Sequence, residues 1–253
     1  MSENPYATPA PVVEMQQPLW AWLKRYLKIG AFIGITVVLI GLFLPPMTRG
    51  REAARRTQCK NNLKQIALAL YNYHDVYDAF PPAYTVDENG QRLHSWRTLI
   101  LPWLEQKELY KKIDLSKPWD HPVNAEAFKT TPHNIRCPGT DVPNDFTTYL
   151  AVVGENSCFH PTKPRAISEI TDGTSNTLMV IEVPVKQAVH WMSPQDADEQ
   201  MVLNISLDDK LAHTGGVQSA FADGSARFLS ATMAPETRRA VISINGEEVV
   251  GEF

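Results

Sequence analysis

Nineteen consecutive residues without a charge, Ile29 to Met47, constrain this chain more than any other feature. The run reads IGAFIGITVVLIGLFL from Ile29 to Leu44 and continues through Pro45, Pro46 and Met47. At helical rise it extends about 28 Å, close to the hydrocarbon thickness of a bilayer. A helix buried in a globular core would carry a polar face, and this run has none. A cleaved signal peptide calls for a shorter apolar region closed by small residues, whereas this one ends Pro-Pro-Met-Thr-Arg. Trp20, Trp22 and Tyr26 stand just ahead of it, where amphipathic rings settle at a membrane interface. The sequence predicts an uncleaved transmembrane anchor from Ile29 to Leu44, with flanks spanning 19–47. Residues 1–18, rich in Pro, Ala, Glu and Gln, read as a disordered tail.

The remainder of the chain, 48–253, is the length of one ordinary domain. Hydrophobic residues make up 43% of the chain, enough for a core that needs no staples. A net charge of -4, with no basic stripe interleaved with aromatics, excludes nucleic acid as the expected partner. Basic residues flank the apolar run on both sides. Lys24, Arg25 and Lys28 precede it, and Arg49, Arg51, Arg55, Arg56 and Lys60 come after it. A literal count of these charges keeps the C-terminal part inside.

Cys59, Leu63, Ile66, Leu70, Tyr73 and Tyr77 recur at spacings of four and three, so Arg51 to Tyr77 is predicted as an amphipathic helix. Its stripe packs on the domain's own sheet in the simpler reading and on neighbouring subunits in the other. Phe80-Pro81-Pro82 ends it. Ser95 is a candidate cap for a second helix over 96–112, which Pro102 kinks or splits. A short helix is expected over 125–129. Strand candidates are 147–153, 177–183, 188–191, 217–222 and 225–229, and 235–244 reads as a last helix. Asp223-Gly224 falls between two of the strand candidates and suits a tight hairpin turn. The fold class expected is α+β: a long N-terminal helix packed on an antiparallel sheet.

Several motifs then agree in order. Arg51-Glu-Ala-Ala-Arg-Arg-Thr-Gln-Cys59-Lys-Asn-Asn-Leu-Lys-Gln65 is followed by Tyr71-Asn-Tyr-His74 and Phe80-Pro-Pro82. Ser95-Trp-Arg97, Leu101-Pro-Trp-Leu-Glu105, Arg136-Cys-Pro138 and Ile170-Thr-Asp-Gly-Thr-Ser-Asn-Thr177 come next. His213 and Asp223-Gly224 close the series with the H-X9-DG spacing. From Arg51 onward the chain resembles the DUF1559 family, a domain of unknown function associated with prepilin-type N-termini. The resemblance implies a pilin-like or pseudopilin-like layout at the cytoplasmic (inner) membrane. Its C-terminal domain would then be extracytoplasmic, against the charge count. Family members usually carry a Gly-Phe-Thr-Leu-x-Glu peptidase site before the apolar helix. Here Tyr26-Leu-Lys-Ile-Gly-Ala-Phe-Ile-Gly34 has no such glutamate.

Candidate chemistry is sparse. His213 and Asp223 are a possible His–carboxylate pair of a hydrolase, with Ser219 or Ser225 as the only nearby nucleophiles. The plainer reading gives Asp223-Gly224 to the turn and His213 to a loop hydrogen bond. Asp172, Gly173 and the residues to Asn176 offer oxygens that, with Asp223, could take calcium, as some pseudopilins do; an Asx-type turn is the simpler account. Asp196, Asp198 and Glu199, like Asp208-Asp209, read as solvated acidic loops. Trp96, Trp103, Trp119 and Trp191 with Tyr84 and Tyr149 could stack on sugars, though core packing explains them more simply. Cys59, Cys137 and Cys158 lack the close spacing of a zinc site. They are inert thiols or hold one disulfide, for which Cys137 with Cys158 closes the shorter loop. No catalytic, cofactor-binding or metal residue is assigned. The sequence therefore predicts a membrane-anchored structural or interaction protein, assembling with like subunits or with type II secretion-like machinery. A surface-displayed glycan-binding module is the alternative, and a hydrolase at His213 and Asp223 is a lesser one.

Overall fold

The computed structural model describes residues 19–246, with the side chains of Leu19, Ala21 and 42–49 outside the described set. Two compact units divide at Gly50/Arg51. The expected tail over 1–18 lies outside the described residues, and the expected span from Ile29 to Leu44 lies within them, save the side chains of 42–44. Among the described residues no helix is long and apolar enough to cross a membrane. Helix α1 covers Leu19–Tyr77. In the first unit its described side chains, Trp20, Trp22, Phe32, Ile35 and Val37 among them, are all exposed.

The second unit is mixed helix and sheet. Its centre is a four-stranded antiparallel sheet in the order β4 (Tyr149–Ala151), β5 (Leu178–Glu182), β7 (Gly216–Phe221), β8 (Ala226–Ser230). Side chains alternate between its faces. On one face Cys59, Leu63, Ile66, Ala67 and Leu70 of α1 join Tyr149, Ala151, Met179, Val180 and Ala220 in one buried cluster. On the other, Leu150, Ile181, Val217 and Leu229 pack with Val202 of α5 (Glu199–Leu203) and Val241 and Ile242 of α6 (Pro235–Ile242). An irregularity between Leu178 and Val180 lets both Leu178 and Ile181 reach this second cluster. The stripe predicted on α1 is thus a face against the protein's own sheet as far as Leu70, while Tyr77 is exposed.

Proline and polar chemistry set the remaining elements. Ser95 accepts a hydrogen bond from the Arg97 N–H at 3.2 Å and caps α2 (Trp96–Leu99). Pro102 then imposes a 3-10 turn over Leu101–Trp103, and α3 (Lys107–Tyr110) starts afresh, so the helix expected over 96–112 is three short pieces. The helix expected over 125–129 is α4 (Ala125–Phe128). A hairpin of β1 (Tyr84–Val86) and β2 (Arg92–Ser95) turns at Asp87–Gly90, and β3 (Phe146–Thr147) pairs with β6 (Val189–His190). The strand expected over 147–153 is therefore divided between two sheets.

Within the acidic cluster the Asp196 side chain is not solvated, which corrects the sequence reading for that residue, while Asp198 is exposed. The Asp196 side chain, 3% exposed, accepts from Arg97 Nη1 at 2.6 Å, Trp96 Nε1 at 2.9 Å and the Ala151 N–H at 2.9 Å. Arg97, fully buried, also donates to the carbonyls of Tyr149, Trp191, Ser193 and Gln195. Asp198 caps α5 by accepting from the Met201 N–H. Asp209 pairs with Lys186 and accepts from Ser206. Trp96 and Trp191 are fully buried, and Trp103 and Trp119 pack partly buried against the core.

Leu63→Asp in the full-length chain should abolish the cooperative unfolding transition followed by circular dichroism. An unpaired carboxylate at this position costs several kcal/mol, comparable with a total stability of about 5–15 kcal/mol. A folded variant that fails only to associate would make the stripe an intermolecular face.

Candidate functional site

Where α1 meets the start of β7, the docking gathers chemistry from four distant parts of the chain. Cys59 lies on the buried face of α1 and forms a disulfide with Cys137, across a Cα–Cα distance of 5.3 Å and 78 positions. Cys158 is the free cysteine, buried, its thiol pushed up to about 12 by desolvation. The pairing of Cys137 with Cys158 is corrected: proximity along the chain is outweighed by the packing of α1 over Cys137.

His213, just before β7, faces this disulfide. Its Nε2 lies 3.7 Å from Cys137 Sγ and 3.6 Å from Glu182 Oε2, and its Nδ1 lies 3.2 Å from Glu52 Oε1. The four side chains Cys59, Cys137, Glu182 and His213 are all buried, with one ligand atom from each within 4.8 Å of the others. Glu182 ends β5 on the face toward α1. It is fully buried; the Gln218 N–H approaches Oε2 at 3.4 Å, and Oε1 has no hydrogen-bond partner. Desolvation raises the Glu182 carboxyl to about 8, with the nearby Glu52 charge adding to the rise. Desolvation also lowers the pKa of His213, against the raising effect of Glu52. For Glu52 itself burial pushes upward, but hydrogen bonds from His213 and Arg56 outweigh it and hold the carboxylate below its ordinary value. At neutral pH the site therefore holds a neutral imidazole and a protonated Glu182, with an ionised Glu52 at its rim.

The loop after Cys137 is fitted to this cluster. The Gly139 N–H donates to Cys137 Sγ at 3.4 Å. A Cβ at Gly139 would stand 3.1 Å from the Ala212 carbonyl oxygen and 3.3 Å from His213 Cε1, so a side chain there would require these neighbours to give by a few tenths of an ångström.

His213 and Asp223 are not brought together. The six-residue strand β7 separates them, a rise of about 20 Å. Asp223 sits in the β7–β8 turn, where it accepts from the Ser225 N–H and from Arg227 Nη2, and Gly224 adopts φ 81°. The turn reading holds, and the pair proposed for a hydrolase is corrected. Ser219 is buried in mid-strand and the Ser225 hydroxyl accepts from Arg227 Nε, so neither stands beside His213 as a nucleophile. Asp172 accepts from the Gly246 N–H at 2.6 Å, its carbonyl accepts from Asn176 Nδ2, and Gly173 takes φ 91° in a tight turn. Among the described residues, the one grouping of His, Cys, Asp and Glu ligand atoms within metal range is that of Cys59, Cys137, Glu182 and His213.

Residues 48–154 match the family model described as "Protein of unknown function (DUF1559)". Over this segment the chain is similar to the DUF1559 family, in agreement with the motifs from Arg51 to Cys137. The DUF1559 match contains both partners of the disulfide and the Glu52 that orients His213, while Glu182, His213 and the Asp223-Gly224 turn lie beyond it. Among curated proteins and among solved structures nothing matches the chain.

Glu182 and His213 escaped the sequence reading as partners because neither lies near a cysteine in the chain. The available signal was an acidic residue closing an otherwise apolar strand, Leu178–Glu182.

This geometry has two measurable consequences. Removing the cross-link in Cys59→Ala should lower the unfolding free energy by roughly 4.5 kcal/mol, the loop-closure value for a loop of this size, measured by denaturant titration. The oxidised protein should also lose stability as pH rises from the ordinary carboxyl value of 4.5 to about 8. In that window the folded state keeps a Glu182 proton that the unfolded state has lost, so the slope is negative, at most about 1.4 kcal/mol per pH unit. Subtracting the Glu182→Gln profile should isolate this slope, and identical profiles for the two proteins would refute the buried protonated carboxyl.

Proposed function

We propose that this chain is a membrane-anchored, pseudopilin-like structural or interaction protein whose domain, residues 51–253, works outside the cytoplasm. The observation that carries the reading is the Cys59–Cys137 disulfide in the core, because such cross-links form and persist in oxidising compartments. The uncharged sequence from Ile29 to Met47 and the exposed apolar side chains of α1 in the first unit support the anchor. A helical N-terminal segment leading into an antiparallel sheet supports the pilin-like comparison. The reading assigns no catalysis, since His213 is engaged with Glu52, Glu182 and the disulfide rather than with a nucleophile.

The glycan-binding alternative draws on one patch. Tyr73, Tyr77 and Trp103 cluster with ring centroids 4.4–6.2 Å apart, and Tyr77 is 58% exposed. Glycan binding that disappears in Tyr77→Ala would favour that alternative.

Fractionation should recover the full-length protein in membranes. A membrane-impermeant maleimide should label Lys163→Cys, an exposed position, in intact spheroplasts. In-membrane crosslinking should then trap like subunits or secretion components. A fully soluble protein, or labelling only after lysis, would overturn the reading.

A further inference from the structure

The buried cluster contains more donor chemistry than a disulfide uses. Two sulfurs, an imidazole nitrogen and a carboxylate oxygen face one another within 4.8 Å. A tetrahedral zinc-type ion with S and N ligands sets its donors roughly 3.3–3.8 Å apart. The distances from His213 Nε2 to Cys137 Sγ, 3.7 Å, and to Glu182 Oε2, 3.6 Å, already fall in that range.

Three further features point to a cation. Glu52 Oε1 lies 3.2 Å from His213 Nδ1 and engages that nitrogen, which leaves Nε2 as the ring nitrogen turned to Cys137 Sγ at 3.7 Å. A metal-binding histidine is oriented by an outer carboxylate in the same manner. The Gly139 N–H aimed at Cys137 Sγ stabilises negative charge on that sulfur. Finally, Glu182 Oε1 is buried without a partner, a cost that a bound cation beside the carboxylate would remove.

We propose that, when Cys59 and Cys137 are reduced, these two thiolates with His213 Nε2 and Glu182 form a four-ligand site for a divalent cation of the zinc class, and that disulfide and metal are alternative occupants of this one cluster. A dithiol reductant supplies two electrons and two protons to the S–S bond and is itself oxidised to a disulfide, leaving two thiols in the protein. The cation then displaces both thiol protons and the Glu182 proton to solvent. Re-oxidation by thiol–disulfide exchange with a disulfide oxidant passes two electrons from the thiolates to that reagent, which takes up two protons and leaves as a dithiol; the protein's S–S bond forms, the cation is released and Glu182 takes a proton from solvent. Because every donor is buried, loading accompanies folding, as in structural zinc sites. The newly made, still reduced chain is the form that takes the metal. All ligands lie within residues 51–253, so the site stands or falls independently of the anchor.

Cobalt(II) is the probe. Full-length protein in detergent is reduced with dithiothreitol, freed of it without air, and titrated with Co2+; if the folded protein resists reduction, the reduced chain is refolded with and without Co2+. The reduced protein should bind one Co2+ per chain with thiolate-to-cobalt charge-transfer and tetrahedral d–d absorption, and zinc should displace it. The oxidised protein should bind none, and Cys158→Ser should bind normally. His213→Ala and Glu182→Gln should each weaken binding at least tenfold, and the outer-shell change Glu52→Gln should weaken it by about tenfold or more. Circular dichroism of each variant in its oxidised state separates lost ligands from lost fold. A reduced protein that takes up no stoichiometric cobalt, whether folded or failing to refold on its addition, overturns the proposal. So does uptake unchanged in His213→Ala or Glu182→Gln.

Discussion

Everything in the second unit depends on one helix face lying against one sheet. Leu63, Ile66 and Leu70 of α1 exclude water from the face that presents Tyr149, Ala151 and Met179. Each apolar side chain buried there contributes about 1.5–3 kcal/mol before the entropy of ordering is subtracted. Cys59 is the next residue of the same stripe, so the packing that buries Leu63 also sets the position of the sulfur. The disulfide to Cys137 then fixes the loop before β3 to the helix, and Asn62 reinforces it by donating to the Arg136 carbonyl at 2.9 Å.

Polar side chains do for the loops what apolar ones do for the sheet. Arg97 satisfies carbonyls from several segments that have no regular ladder of their own, and Asp196 neutralises it. Arg238 serves α6 similarly, donating to the carbonyls of Val202, Leu203, Ile205 and Ala231. Buried charges of this kind are costly to strand: removing one partner of such a pair typically costs about 3–5 kcal/mol. They let a domain with short strands and many turns hold a single arrangement. Glu182 differs from them: among the described residues no Arg or Lys pairs with it in the buried cluster, where it faces the disulfide sulfurs, the His213 imidazole and the Gln218 N–H.

Much of the architecture was legible in the chain. The period of Cys59, Leu63, Ile66 and Leu70 reports which face of α1 is buried, because a helix returns its side chains to one side at spacings of three and four. The β-prone runs on either side of Asp223-Gly224 report β7 and β8, and the positive φ of Gly224 is the conformation that such a turn demands. Ser95 and Pro102 marked a cap and a break by local sterics and hydrogen bonding alone. Asp196 was misread for a complementary reason: its burial is imposed by Arg97, 99 positions away, and nothing adjacent to it in sequence announces that partner.

The sequence by itself determined the long helix, the antiparallel α+β character and the turns, since these arise from propensities and periods acting over a few residues. Only the tertiary structure decided that Cys59 meets Cys137 rather than Cys158 meeting it, and that His213 turns to Glu52 and Glu182 rather than to Asp223. The reason is geometric. Periodicity says which face a residue occupies, but the depth at which α1 sits across the sheet decides which atoms on two faces come within bonding distance. That depth is set by the summed packing of the whole interface, so no motif records it.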